Sequence, residues 1–180
     1  MSVADELESV FINYIMAIKI WHAIESGSIL KGQIDSDELL TIEEGGYRIP
    51  LRQNVLNSQA DFILWSQNNI MLAFGAAAIT LWESVERNGI ITASILNNKK
   101  VVTSDTEKIA ALTYMLRCCF AHGLTAPKWS MSVKYQISYK VGKKNIDLSG
   151  KNRLPFSFDH ILGHETFILM RSGLARLGLI

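Results

Sequence analysis

At 180 residues, with 48% apolar or aromatic and 19% charged, the chain has the length and composition of one globular domain that buries its core without staples. The net charge of +1 is close to neutral, so any anion-binding surface has to come from local clustering of cations. The acidic opening MSVADELESV carries no basic stretch leading into an apolar one, and the most apolar run, Ile70 to Trp82, is shorter than a bilayer span. The expectation is a cytoplasmic protein with no membrane contact.

Ser2 and Asp5 resemble a capping box opening a first helix over about residues 3–26. Leu7, Val10, Phe11, Tyr14, Ile18 and Trp21 recur along it at helical steps, and Gly27 ends the run. Residues 28–56, with Gly32, Gly45-Gly46 and Pro50, read as a connection holding short strands. A long second helix is expected over about 58–87, stopped at Asn88-Gly89, with its apolar middle buried in the protein's own core. Asn97-Asn98-Lys99-Lys100 reads as a turn or exposed loop. Ser104 and Glu107 then form a capping-box signature for a third helix over about 105–122, with Gly123 and Pro127 supplying the stop.

From Trp129 to Val141 every odd position is apolar or aromatic and every even position is Ser, Lys or Gln, which predicts a long strand. A turn at Gly142–Asn145 and a return through Leu148 complete a hairpin over about 129–148, and a last helix follows over about 159–177. The fold class expected is mainly α, a helical bundle forming one domain over 1–180, with a β-hairpin inserted before the final helix.

Charge is unevenly placed. Residues 1–46 hold nine acids against Lys19 and Lys31, whereas residues 128–153 hold Lys128, Lys134, Lys140, Lys143, Lys144, Lys151 and Arg153 against Asp147 alone. Such a run is either a solvated face or an anion-binding surface, and the hairpin lysines could line a phosphate backbone.

No Gly-rich phosphate loop, nucleophile elbow or CxxC pair is present. The two cysteines, Cys118 and Cys119, are neighbours. They form neither a disulfide framework nor a zinc site, and Cys119 falls on the apolar side of its helix. His160 and His164 stand four apart at the expected start of the last helix, with Glu165 after them. That pattern lacks the zincin order, and packing or exposure accounts for it better than a metal site. No metal and no cofactor are expected.

Arg117 and His122 close the third helix. A cation in the last turn offsets the helix dipole, so either residue taken alone needs no function. The string Arg117-Cys118-Cys119-Phe120-Ala121-His122-Gly123, ending an apolar-faced helix, resembles the HEPN family of all-α domains. Their active members carry an Arg and, a few residues on, a His. The resemblance implies a HEPN-like bundle and a metal-independent endoribonuclease, in a phage-defence or toxin–antitoxin setting. Arg117 would be the phosphate stabiliser, His122 the general acid/base, and a homodimer would form a composite site. It also implies control by an antitoxin or sensor protein. Where the family commonly has Asn after the arginine, this chain has Cys118. A non-catalytic HEPN-like module that binds RNA, a nucleotide or a protein is the alternative.

Overall fold

The computed structural model describes residues 3–34, 41–44, 47–50, 58–121 and 123–180. They pack as two compact units, Tyr14–Ile70 on the one hand and, on the other, residues up to Asn13 together with Met71–Ile180. In chain order the elements are α1 (Val3–Glu25), α2 (Lys31–Ile34), β1 (Thr41–Glu44), β2 (Tyr47–Pro50), α3 (Gln59–Asn88), α4 (Ala93–Asn98), α5 (Asp105–Phe120), β3 (Ser138–Val141), β4 (Lys144–Asp147) and α6 (His164–Arg176). The fold is mainly helical, with a small antiparallel hairpin between α5 and α6.

In the unit Tyr14–Ile70, α1 buries Tyr14, Ala17 and Ile24, and α3 buries Phe62, Ser66 and Ile70. Gly27, at φ 76, ends α1 in the left-handed conformation that glycine adopts without steric cost. Its N–H reaches the Ile24 carbonyl at 3.2 Å. Short strands do occur in the connection: β1 pairs antiparallel with β2, Thr41 opposite Pro50 and Glu44 opposite Tyr47. Ser2, Gly45 and Gly46 lie outside the described residues, so the capping box of Ser2 does too. The other end of the connection is capped by Ser58, whose Oγ accepts from the Asp61 N–H at 3.1 Å.

By length and mean hydropathy, α3 and residues 4–25 are each long and apolar enough to cross a membrane. The run Ile70–Trp82, expected to be too short, therefore lies within a helix that is long enough. Burial of Phe74, Ala77, Ala78, Leu81 and Trp82 makes this stretch a core segment, compatible with a soluble protein.

In the larger unit the core is aromatic. Phe74 of α3 stands at its centre, with ring centroids 5.3 Å from Phe120, 5.3 Å from Phe156, 5.0 Å from Phe158 and 4.6 Å from Phe167. The capping box of α5 is formed as its sequence predicts: the Glu107 N–H donates to Ser104 Oγ at 3.1 Å, and the Ser104 N–H to Glu107 Oε2 at 3.4 Å. Lys99 also pairs with Glu107, and chiefly this contact pulls the carboxyl down to about 2.

Four expectations are corrected, the last of them the hairpin turn. Asn97 and Asn98 are the last turn of α4, whose N-cap is Thr92. The alternating stretch 129–141 is not one strand, because a 3-10 turn at Val133–Tyr135 interrupts it and only Ser138–Val141 is extended within a sheet. The alternation still records burial, since Trp129, Met131, Tyr135, Tyr139 and Val141 are all buried, but Val133 is turned out, 82% exposed. The expected helix 159–177 is also broken. A 3-10 turn, Phe158–Ile161, ends at Leu162 (φ 60), and Gly163 (φ 89) precedes α6. A φ of 89 is open to glycine and costly for other residues, so the chain changes direction there.

The hairpin turn is shorter than expected. Val141 pairs with Lys144, leaving Gly142 and Lys143 as a two-residue loop, with Gly142 at φ 60 in its first position.

Candidate active site

The end of α5 is set by a close backbone approach. A Cβ on Gly75 of α3 would come 2.6 Å from Phe120 Cδ1 and 2.7 Å from Leu124 Cδ2, so the absence of a side chain there lets both lie against α3. Phe120 is buried, 5.0 Å from the Phe156 ring. The Ala121 N–H donates to the Arg117 carbonyl at 2.9 Å, and the Gly123 N–H to the Phe120 carbonyl at 3.3 Å. Gly123 lacks the positive φ of a left-handed cap, and the helix ends through Ala121 in right-handed conformation. His122 lies outside the described residues.

Tyr114, Arg117, Cys118 and Ala121, at helical spacing, form the face of α5's last two turns that is not buried. No carboxylate among the described residues lies within ion-pair distance of Arg117. It interacts electrostatically with Tyr114, whose hydroxyl also interacts with Cys118 and accepts from Asn97 Nδ2 at 3.3 Å. Burial raises the Tyr114 pKa, and the Arg117 guanidinium works against that rise. Cys119 is core, as its spacing indicates. Burial, with a smaller contribution from Cys118, pushes its thiol up to about 12, which leaves it inert at neutral pH.

The five lysines expected on an RNA-binding face do different things. Lys134 donates its ammonium to the carbonyls of Leu96 (2.9 Å), Asn97 (2.8 Å) and Lys99 (3.0 Å), capping the C-terminus of α4. Lys144 donates to the Leu162 carbonyl at 3.1 Å and lies 3.5 Å from Glu165. Lys128, Lys140 and Lys143 are exposed. Lys140 lines a cleft of about 380 Å³ that also holds Arg176 and Asp105. Lys128 lines another, of about 520 Å³, with Arg153 and Ser130. Arg117 lines neither.

His160 and His164 do not share a helix face, because the Leu162-Gly163 break separates them. His160 Nδ1 accepts from Trp129 Nε1 at 3.0 Å and from the Ser157 N–H at 3.3 Å, and the His164 ring lies 4.0 Å from Phe158. Among the described residues no cluster of three or more His, Cys, Asp or Glu is placed to hold a metal ion. In the sequence Arg153 is one charge in a basic run. Its left-handed backbone, φ 68, leaves no mark in the sequence, because αL is uncommon outside Gly, Asn and Asp.

No known family, no curated protein and no solved structure matches this chain.

Proposed function

We propose that this protein is a HEPN-like, metal-independent endoribonuclease acting on single-stranded or looped RNA. The observation that carries the reading is the state of Arg117: half-buried in the last turn of α5, on that helix's open face, with no carboxylate among the described residues within ion-pair distance. A guanidinium held without a counter-anion is suited to charge gathering on phosphoryl oxygens. His122, next to Ala121, supplies a group that moves protons near neutral pH.

RNA brings its own nucleophile. The base takes the proton of the 2′-hydroxyl, the 2′-oxygen bonds to phosphorus, and the P–O5′ bond breaks. A proton is delivered to the departing oxygen. The products are a 2′,3′-cyclic phosphate and a 5′-hydroxyl, with no metal or covalent enzyme intermediate in the scheme. Positions 117 and 122 would be about 140° apart on a continued helix, so on such a helix one chain would not present both on one face. A two-fold axis that brings two α5 ends together supplies a shared cleft, which makes the homodimer the active form. A cytoplasmic phage-defence or toxin–antitoxin role, with an antitoxin or sensor protein as regulator, extends this reading.

Arg117→Ala and His122→Ala should each lower cleavage by about 10²-fold or more, with unchanged melting temperature, and wild-type cleavage should persist in EDTA. Either variant cutting at the wild-type rate would refute the mechanism. The second reading, a non-catalytic binding module, is favoured by Cys118, whose thiol engages Tyr114 at the position where the family commonly has Asn. Under it the wild type binds RNA and cuts none.

A further inference from the structure

Beyond the end of α5 the chain builds a short ladder absent from the sequence expectations. The Trp129 N–H donates to the Leu154 carbonyl at 3.0 Å, the Arg153 N–H to the Trp129 carbonyl at 2.8 Å, and the Phe156 N–H to the Pro127 carbonyl at 2.9 Å. Lys128 stands opposite Pro155 in antiparallel register. Along the first strand Pro127, Trp129 and Met131 are buried, which turns Lys128 and Ser130 outward together. Arg153 joins them from the second strand in left-handed conformation, a backbone state a non-glycine residue holds only when its surroundings fix it.

These three side chains line the cleft of about 520 Å³, whose remaining wall includes Cys119, Gly123 and Ala126. Its volume is of the size that holds a nucleotide. No carboxylate lines it, and among the described residues neither Lys128 nor Arg153 has an ion-pair partner. The other lysine-bearing cleft differs, since Asp105 stands in it beside Lys140 and Arg176.

We propose that the cleft of Lys128, Ser130 and Arg153 is a phosphate-binding subsite that seats the RNA backbone at a nucleotide flanking the scissile linkage. The inference rests on the ribonuclease reading for the word scissile, but the RNA contact stands separately. Arg153 grips a phosphate through its planar fork, Lys128 adds a second charge, and Ser130 donates its hydroxyl. Because Gly123 lines the same cleft, the subsite adjoins the segment that carries His122.

The test measures binding of a short fluorescent single-stranded RNA by anisotropy across a salt series, in a His122→Ala background that leaves the RNA intact. Lys128→Gln combined with Arg153→Gly should weaken binding about tenfold or more at low salt. It should also reduce the slope of log K against log salt by about 1.4, the share of two phosphate contacts to a single strand. Glycine accepts φ 68 without strain, so Arg153→Gly removes the charge without loss of melting temperature. Lys19→Gln, a lysine on α1, should leave affinity and slope as they are. Wild-type affinity and slope in the double variant would overturn the proposal. So would variants that lose affinity for a nucleoside monophosphate but keep it for RNA, which would make the cleft a free-nucleotide site. Cleavage is scored separately in protein retaining His122. RNA binding that depends on the cleft, without cleavage, sinks the ribonuclease reading and sustains the subsite; cleavage with cleft-independent binding does the reverse.

Discussion

The two hydrogen bonds accepted by His160 Nδ1 put its proton on Nε2 and suit the neutral ring. Burial foremost, then the nearby positive charge of Lys151, holds its pKa below the usual 6.5, with Asp159 pulling the other way. The sign of the linkage follows. As pH falls through 6.5 the unfolded chain takes up a proton at this position before the folded chain does, so stability present above 6.5 is lost on acidification. His160→Gln should flatten the pH dependence of the melting temperature between pH 7 and about 5. An unchanged profile would mean that another group controls that range. Arg117 presents a different case, a charged group with no ion-pair partner among the described residues. Lys134 shows how a similar cation is held when its role is structural, with all three donors on carbonyls.

At the scale of elements, α1, α3 and α5 were legible because each carries its own start or stop: Gly27 and Asn88-Gly89 at C-termini, and Ser104 with Glu107 at an N-terminus; the short α2 and α4 and the break before α6 were not. The region after α5 was legible only in part. Alternation from Trp129 to Val141 gave five of its seven apolar positions as buried, Val133 and Ile137 being the exceptions, and a period of two does not require a continuous ladder. What overrode it is tertiary: Lys134 reaches the end of α4, and Tyr135 donates its hydroxyl to Asn97 Oδ1 at 3.2 Å. Contacts across more than thirty residues of sequence leave no local pattern. The candidate site was legible as Arg117 and the α5 terminus, whereas the ladder that aligns Lys128 with Arg153 was not. Gly75 is a second long-range feature without a local signal, and it carries a prediction. Gly75→Ala forces Phe120 and Leu124 away from α3, against a gain of about 1 kcal/mol in helix propensity, and overpacking costs about 1–3 kcal/mol. The variant should melt no higher than wild type and, under the proposed ribonuclease reading, cut RNA more slowly, because the displaced residues flank 121–123. Wild-type cleavage in a stably folded Gly75→Ala protein would show that the exact seating of Phe120 is immaterial to the chemistry.

For the whole molecule, the proposed composite site would make activity a function of concentration. Cleavage per chain should fall as the protein is diluted through its dimer dissociation constant, with the midpoint matching that from sedimentation. Constant specific activity across that range, with monomer shown to predominate, would remove the composite site. Charge enters at this scale too. With a net charge of +1, long-range attraction of a polyanion is weak, so the proposed RNA contact would depend on local cation clusters such as Lys128 with Arg153.

The ladder joining 127–130 to 153–156 brings the two ends of the hairpin-bearing insert side by side. A segment whose ends already meet can change length between them at little entropic cost, since closure entropy grows only with the logarithm of loop size. Evolution can therefore trade one version of the β3–β4 excursion for another while α5 and α6 stay where they are. Under the proposed function, the residues that would contact a target could then diversify independently of those that would act on it.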